Sequence, residues 1–571
     1  MGLQTGMINS RFLQISAFFI ALAIAFSFGF SYGNVGNQET YLPHALNFVN
    51  PHFLENDWLV RDTTAYHSSF RWIILALAKT GALGWAAAIL NTLLIAFSLI
   101  MLYQIIAVQF CGNAVVATVL ALLFITLDRT ATVGSSYLFA DGLQPSTLAT
   151  AAWFVAIFGF LRGRYVLAGC LLAIGGLFHA NFLVLGIGLF TLAHLLLNKG
   201  KRLVNLAAQI GPSLLILLFF LPLILAAANG EGAQQAREIF LVIRSPHHYV
   251  PLTYLPQFLY LTGWFLCGLS ALLAMPDLPS RRSLMALVLA LAISIGGATM
   301  LTTLVFVPPV SQLFVWRLAP FLLVLSQISV AIFMVQRLQL PTFEKKHSRL
   351  LFLIALSGAL AILRWVAYAG LDILRTAAAV LPILAYLGVF FAHRKSLLTS
   401  KQALFAVGGA GMLAVSVLTV SRIPSVFDKS TLLHPNTNRL YEWAHSTDER
   451  TIFLLPPELG DFRLLAGRPV VVDWKSTPVK ADELLNWYHR INDIAGKPVF
   501  SFNDAVQGYR SHGLSELHSL AAHYNASYII VDRKRHHLEG IAEVPVFSDE
   551  TYSVFAASPH ISMVSPSNSP R

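Results

Sequence analysis

Charge is scarce in this chain: Asp, Glu, Lys and Arg make up 12% of its 571 residues, against 56% apolar residues. A composition this poor in charge excludes an ordinary water-soluble domain and predicts a polytopic membrane protein. Cysteine is also scarce, and the three cysteines lie in or beside apolar runs, which excludes a disulfide framework. The sequence has no phosphate-binding glycine loop, zinc box or Ser-His-Asp order, so no such motif predicts its chemistry.

Apolar runs of about 20 residues recur along the chain, and this length allows a helix to cross a bilayer. The first run is longer than the roughly 7–15 apolar residues of a signal peptide, so we expect it to be an uncleaved span. The fold class predicted is an α-helical polytopic membrane protein with about thirteen transmembrane helices. These spans are predicted near residues 12–32, 84–108, 114–130, 146–161, 166–179, 182–198, 203–228, 253–275, 284–304, 314–335, 350–368, 376–392 and 402–420.

Lysine and arginine are distributed unevenly between these spans. With thirteen spans, five basic clusters all fall on the side of the N-terminus, which the positive-inside rule makes cytoplasmic. Nine of the eleven acids in residues 1–423 fall on the other side. We therefore interpret the net charge of +11 as a sign of membrane topology and not of nucleic-acid binding. The expected location is a bacterial inner membrane, where membrane lipids surround the chain. The basic clusters lie at residues 162–164, 199–202, 281–282, 345–349 and 394–395.

Three segments on the predicted outer side are longer than a turn requires: residues 33–83, 229–252 and 421–571. The first should return along the membrane surface as amphipathic helices. The third alternates short aliphatic runs with helical patterns, which predicts a small α/β domain. We therefore predict a transmembrane domain at residues 1–420 and a periplasmic α/β domain at 421–571, the latter acting as a lid or an acceptor-docking module.

Three acids of the outer side are candidate site carboxylates. Glu39 begins a run with helical spacing, where it is either a base beside the bilayer or a carboxylate favoured by the helix dipole. Asp57 is either a second site carboxylate or part of a surface turn in which Trp58 anchors at the headgroups. Asp141 either reaches the site or forms the turn that leads into the next span.

Five basic residues are candidates for binding an anion. Arg244 offers a planar donor fork that matches phosphate oxygens, and His247 and His248 follow it in the second outer segment. This segment could also be a plain loop, and the two neighbouring histidines lack a third metal ligand. Arg317 lies near the outer end of a span, where it either faces a cavity or snorkels. His179 lies where two short spans meet, and it either lines a wet cavity or packs in the core.

These features resemble the GT-C glycosyltransferases, membrane enzymes that use polyprenyl-phosphate-linked sugars. The resemblance rests on an acid just after the first span, a surface helix behind it, about a dozen spans and an α/β tail. In the protein O-mannosyltransferases and the lipid A aminoarabinose transferases of this superfamily, the first outer loop carries an Asp-Glu pair shortly before an aromatic residue. Here the stretch reads Gln38-Glu39-Thr40-Tyr41, so that Glu39 and Tyr41 fit whereas Gln38 replaces the first acid.

The resemblance implies transfer of a sugar from a polyprenyl-phosphate donor to an extracytoplasmic glycan, lipid or protein acceptor. Glu39 or Asp57 would be the base, and Arg244, Arg317 and His247 or His248 would stabilise the leaving phosphate. It indicates no cofactor besides the lipid-linked sugar donor, and a divalent metal stays an open alternative without a motif that indicates it. Two other classes stay open: a transporter or flippase of a lipid-linked or small solute, and a non-catalytic factor in envelope assembly.

Overall fold

The computed structural model describes residues 10–31, 37–65, 67–109, 113–127, 132–197, 202–229, 232–305, 307–339, 385–424, 426, 435–536 and 543–557. The chain forms two compact units. The first unit comprises Met1–Ser31, Ala88–Leu221 and Pro246–Ser430. The second unit comprises Tyr32–Ala87, Pro222–Ser245 and Thr431–Arg571. Each unit is thus assembled from three separate segments of the chain.

Helices dominate the chain up to residue 339. They are α1 (Ser10–Gly29), α2 (Gln38–Val49), α3 (Trp58–Asp62), α4 (Phe70–Ala78), α5 (Leu83–Gln109), α6 (Ala114–Leu127), α7 (Pro145–Leu161), α8 (Tyr165–Phe178), α9 (Ala180–Leu196), α10 (Arg202–Asn229), α11 (Ala233–Glu238), α12 (Pro246–Tyr249), α13 (Leu255–Ala274), α14 (Pro279–Leu304), α15 (Pro308–Gln312) and α16 (Ala319–Gln339). A π-helix at Ile239–Arg244 follows α11, and 3₁₀ turns lie at Val133–Ser135, Pro251–Tyr254 and Val315–Leu318.

The rest of the described chain contains helices and a small sheet. Residues 385–394 are helical. The named elements are α17 (Ser400–Val420), α18 (Pro435–His445), α19 (Phe462–Ala466), α20 (Ala481–Ala495), α21 (Phe502–Ser511), α22 (Leu514–His523), β1 (Phe453–Leu454), β2 (Tyr528–Asp532), β3 (Phe547–Ser548) and β4 (Tyr552–Ala556).

The protein is a mostly helical membrane protein, because several of these helices are long and apolar enough to span a bilayer. Among the described residues six helical stretches meet that condition, and five shorter apolar helices accompany them. The prediction of thirteen spans is not confirmed. Several predicted features lie outside the described residues: the span at 350–368, most of the span at 376–392, the basic residues within 199–201 and 345–349, and Cys111. The six stretches are Leu83–Gln109, Arg202–Pro222, Leu255–Ala274, Pro279–Leu304, Pro308–Gln339 and Ser400–Val420.

The predicted interruption between two short spans is present at His179. Its backbone is extended, with φ −149° and ψ 97°, so α8 ends before it and α9 begins after it. The second predicted outer loop differs from the prediction, because residues 233–249 are almost entirely helical and include the π-helix. Arg317 lies in a 3₁₀ turn just before α16, within the apolar stretch Pro308–Gln339.

The second unit has one main core to which all three of its segments contribute. Trp58 comes from the first segment, Ile239 from the second, and Trp487 and Ile529 from the third, and each is at most 5% exposed. The sheet has the order β1-β2-β4-β3, with β1 parallel to β2 and the other pairs antiparallel. Burial of these large apolar side chains supplies the main stabilisation of the unit.

Candidate functional site

Glu39 lies in the first turn of α2, where its negative charge is favoured by the positive end of the helix dipole. Its backbone carbonyl accepts a hydrogen bond from Ser476 Oγ at 3.4 Å. The carboxyl group is partly buried among residues of the C-terminal segment. An acid predicted from the first loop thus lies in a polar cluster that the distant tail helps to build.

A second carboxylate, Asp461 of the tail, acts electrostatically on Glu39. Asp461 precedes α19, and Tyr441 donates a hydrogen bond from its hydroxyl to Asp461 Oδ1 at 2.6 Å. Tyr441 is 2% exposed, and burial raises its pKa, so that the phenol keeps its proton and acts as the donor. Burial also raises the pKa of Asp461, whereas the bond from Tyr441 opposes that rise. The carboxylate is therefore held in place by a buried phenol.

Two cations balance these carboxylates. Lys475 Nζ donates to Asn37 Oδ1 at 3.2 Å, next to the start of α2. Arg244, the last residue of the π-helix, donates from Nη2 to the backbone carbonyl of Lys475 at 2.9 Å and lies over the Trp474 ring, 5.8 Å from its centroid. Both cations act electrostatically on Glu39. Arg244, predicted to bind phosphate, and Glu39, predicted to be a base, therefore lie in one cluster.

Gly460 allows Glu39 to approach the tail backbone closely. A Cβ atom added at Gly460 would lie 2.7 Å from Glu39 Oε2 and 2.7 Å from Lys475 Cβ. Both distances are below van der Waals contact, so any larger side chain at position 460 would displace the Glu39 carboxyl group or the base of the Lys475 side chain. Gly460 thus leaves room for the Glu39 carboxyl group, and the next residue, Asp461, supplies the second acid that acts on it.

The combined environment raises the pKa of Glu39 from 4.5 to about 7. Burial is the largest cause because it disfavours the charged form, and the nearby Asp461 charge adds to the rise. Lys475 and Arg244 oppose it. Burial lowers the pKa of Lys475 in turn, although Glu39 counteracts this effect. A carboxyl group with a pKa near 7 can accept or release a proton at physiological pH.

Asp57, the other predicted base, occupies a different environment. It is fully buried, and its Oδ2 accepts hydrogen bonds from Arg463 Nε at 2.8 Å and from the backbone N–H of Val470 at 2.9 Å. Its Oδ1 caps α3 by accepting from Leu59 N at 3.0 Å. Arg463 also forms an ion pair with the buried Asp473. These contacts tie the first loop to the tail and suit a structural role.

Tyr41 lies two residues beyond Glu39 on α2. Residues two apart on a helix do not share a face, and the Tyr41 ring packs edge-on against His67 at a centroid distance of 4.9 Å. Farther along α2, His44 Nε2 lies 3.3 Å from Thr63 Oγ1. Burial lowers the pKa of His44, which favours the neutral imidazole.

Three of the predicted basic residues share an aromatic cluster in the first unit. Arg317 lies over the rings of Phe314 and Phe182, at 4.9 Å and 5.5 Å from their centroids. His248 packs against Phe314 at 5.3 Å, and His179 packs against Phe182 at 5.2 Å. The cluster therefore joins residues that are up to 138 positions apart in the sequence, from 179 to 317.

The remaining predicted residues of the first unit lie beside this cluster or in the loop before α7. The His247 ring packs at an angle of 46° against that of His248, with a centroid distance of 4.1 Å, and His248 Nδ1 lies 2.8 Å from the Gly134 carbonyl oxygen. Asp141 interacts electrostatically with Tyr137 and contributes to raising its pKa, although burial is the larger cause. Within the part of the chain that the structure describes, no three His, Cys, Asp or Glu side chains converge on a metal site.

Reasoning from the sequence missed Asp461, Tyr441 and Lys475. Each lies in the tail, more than 400 residues from Glu39 along the chain. The one local sequence feature that could point to Asp461 is the Gly460-Asp461 turn between apolar runs. Such a turn is also typical of an ordinary loop, so it does not by itself predict a site.

Comparisons with known proteins match parts of this architecture. A family model described as "Domain of unknown function (DUF6798)" matches residues 435–494, which include Tyr441, Asp461 and Lys475. None of the curated protein sequences matches the chain. Among solved structures, a cryo-EM structure of a mutant of the arabinofuranosyltransferase AftD from mycobacteria aligns over 97% of this chain, with 14% identity and a TM-score of 0.43. The chain spans 42% of that protein's length.

Proposed function

We propose that this protein is a membrane glycosyltransferase in which Glu39 is the general base. The observation that carries the proposal is the position of the partly buried Glu39 carboxyl group, which lies against Gly460 in a cluster that also contains Lys475 and Arg244. Burial and the charge of Asp461 raise the pKa of this group to about 7. A general base works best when its pKa lies near the operating pH. The resemblance of the first loop to GT-C enzymes supports sugar transfer as the reaction that needs this base.

The proposed reaction is a displacement at the anomeric carbon of a polyprenyl-phosphate-linked sugar. A bond forms between the acceptor oxygen and the anomeric carbon, while the bond from that carbon to the phosphate oxygen breaks. Ionised Glu39 accepts the proton of the acceptor hydroxyl, and the bonding electron pair leaves with the lipid phosphate. The acceptor is an extracytoplasmic glycan, lipid or protein, and the enzyme acts at the outer face of a bacterial inner membrane.

Asp57 is the less suitable base because it is fully buried and already accepts three hydrogen bonds from the fold. A general base must reach the proton that it accepts. Glu39 is partly exposed, so an acceptor hydroxyl can approach it. We therefore assign proton transfer to Glu39 and anchoring of the first loop to Asp57.

Positive charge for the donor phosphate is available beside the base. Arg244 and Lys475 both act on Glu39 from the same unit, and guanidinium and ammonium groups bind phosphate oxygens strongly. Roles for Tyr41, Asp141, His179, His247, His248 and Arg317 in substrate binding stay predictions. The role of Arg317 in binding the donor phosphate can be tested by measuring donor affinity. Arg317→Ala should weaken this affinity while the protein still folds.

The direct test is sugar transfer by the purified protein in lipid nanodiscs. A panel of synthetic polyprenyl-phosphate sugars would serve as donors, with an envelope glycolipid extract from a deletion strain as acceptor. We expect transfer from one donor by the wild-type protein and a loss of about 100-fold or more in Glu39→Gln, the range assigned to general base catalysis. Glu55→Gln is the matched control, because Glu55 is exposed in the same loop.

Full transfer by a well-folded Glu39→Gln protein would refute the proposed base. Absence of transfer with every donor, together with solute counterflow in proteoliposomes, would instead establish a transporter. A third outcome is that the deletion strain has an altered glycan profile whereas the strain that carries Glu39→Gln keeps the wild-type profile. That outcome would indicate a non-catalytic factor in envelope assembly.

A further inference from the structure

We propose that Asp461 and Tyr441 are positioning residues for Glu39, so that the C-terminal segment is part of the catalytic apparatus and not a lid over it. The inference rests on the proposed function, because it names further residues of the same site. It begins from geometry: a Cβ atom at Gly460 would lie 2.7 Å from Glu39 Oε2, so Glu39 lies against this part of the tail, and the next residue is Asp461, which Tyr441 binds.

The position of Asp461 is fixed by its buried partner. The Tyr441 hydroxyl lies 2.6 Å from Asp461 Oδ1, and the Tyr441 ring packs edge-on against Phe462 at a centroid distance of 5.4 Å. A phenol held by a neighbouring ring can adopt few rotamers, so the carboxylate that it binds is held as well. Asp461 can therefore act on Glu39 from a constant position.

The acceptor proton needs a base that is neither permanently ionised nor permanently protonated. A nearby carboxylate makes ionisation of Glu39 harder, whereas Lys475 and Arg244 make it easier. The opposing charges come from the tail and from the π-helix, so neither is supplied by the loop that carries Glu39. In this arrangement the tail adjusts how readily Glu39 accepts a proton.

The other charged groups near α2 have partners of their own. Arg71 of α4 lies over the Phe48 ring, 4.5 Å from its centroid. Arg61 and Asp62 of α3 pair with each other at 2.7 Å, and His44 lies beside Thr63. The groups that act on Glu39 itself are Asp461, Lys475 and Arg244, and Glu39 in turn acts on Tyr441.

The test is a titration of the carboxyl groups in the full-length protein without substrate, measured by infrared difference spectroscopy at a series of pH values. The band that disappears in Glu39→Gln reports Glu39, and we expect its midpoint at about pH 7 in the wild-type protein. Asp461→Asn removes the facing charge, so the midpoint should fall toward 4.5 while staying above it, since burial remains. Lys475→Gln should shift the midpoint upward.

Glu442→Gln is the matched control, because Glu442 is the exposed neighbour of Tyr441 and its loss changes the net charge by the same amount as Asp461→Asn. The control should leave the midpoint of Glu39 unchanged. A midpoint that stays at the wild-type value in Asp461→Asn would overturn the inference. If Asp461→Asn does not fold, Tyr441→Phe is the second variant, because it removes the bond that favours ionised Asp461 and should lower the midpoint of Glu39. An unchanged midpoint in Tyr441→Phe would then overturn the inference.

The titration also separates this inference from the proposed function. One outcome is that the midpoints shift as expected but the protein transfers sugar from none of the donors. That outcome would support the Asp461–Glu39 arrangement and refute the proposed glycosyltransferase activity. Transfer that depends on Glu39, with no midpoint shift in Asp461→Asn, would support the enzyme and refute the positioning role. In the active enzyme, Asp461→Asn should move the pH midpoint of kcat downward and leave KM nearly unchanged.

Discussion

At the scale of single residues, two acids of one loop have opposite environments. Asp57 is surrounded by hydrogen-bond donors of the fold, whereas the charges that act on Glu39 are a second carboxylate and two cations, and their effects partly cancel. Both appear in the sequence as acids of a polar loop, and neither position reveals its partners. The sequence could nominate both residues but could not choose between them, because the choice depends on Arg463 and Asp461 in the tail.

Asp57→Asn should lower stability strongly. It removes the charge of an acceptor that binds Arg463, Leu59 N and Val470 N, and a hydrogen bond to a charged group contributes about 1.5–3 kcal/mol. Arg463 keeps its ion pair with Asp473, so its own charge stays compensated. Asp57 and Arg463 are at most 1% exposed.

The measurement is the melting temperature of the purified protein, with Asp62→Asn as control. The exposed Arg61–Asp62 pair should be worth under about 1 kcal/mol, so equal melting temperatures for the two variants would contradict the structural role.

Gly460→Ala should reduce activity more than stability. The added Cβ would lie 2.7 Å from Glu39 Oε2, so the carboxyl group must move, and a displacement of about 1 Å can cost roughly 100-fold in rate. Sugar transfer and melting temperature would be measured together. Gly513→Ala serves as control because a Cβ there meets no atom within 4 Å. Wild-type transfer by Gly460→Ala would argue against a site at this position.

At the scale of elements, local patterns predicted the apolar helices well. The run predicted at 84–108 is the helix Leu83–Gln109, and the one at 402–420 is Ser400–Val420. Hydrophobic periodicity and length are local properties, which is why the sequence contains them. The helical second loop, with its π-helix at Ile239–Arg244, was missed because its stability comes from tertiary contacts of residues such as Ile239 in the second core.

Close helix contact should make Gly268 intolerant of a side chain. A Cβ at Gly268 in α13 would lie 2.7 Å from Ser326 Cα and 2.8 Å from Ser326 Cβ in α16. We expect Gly268→Ala to destabilise the protein by about 1–3 kcal/mol, the usual cost of overpacking. Gly296→Ala in α14 meets no atom within 4 Å and should be nearly neutral. Melting temperatures in detergent would check this, and equal values would contradict the close α13–α16 contact.

At the scale of the whole molecule, the compact units do not follow the order of the sequence. The first loop, residues 222–245 and the tail form one unit, and the candidate site is composed of all three. A sequence read segment by segment places Lys475 in a separate tail, because contacts such as that between Lys475 and Asn37 span 438 positions. Charge asymmetry still predicts the orientation of the chain, since it depends on composition and not on contacts.

The predicted orientation can be tested by cysteine labelling. In a protein whose three cysteines are replaced, Lys497→Cys in the tail and Arg162→Cys between α7 and α8 both provide exposed thiols. A membrane-impermeant maleimide added to intact spheroplasts should label Lys497→Cys and spare Arg162→Cys, because basic clusters stay cytoplasmic. Labelling with the reverse preference would contradict the topology, and lysed cells provide the control for reactivity.

The pH dependence of sugar transfer tests the central claim most directly. Glu39 accepts a proton only when ionised, and its pKa is raised to about 7, so the rate should be low below that pH, rise through it and level off above it. The measurement is kcat of the wild-type protein from about pH 5 to 9, beside Glu39→Gln under the same conditions. We predict a midpoint near pH 7 in the wild-type protein and no such rise in Glu39→Gln. A rate that is independent of pH across this range, or the same profile in both proteins, would contradict the account.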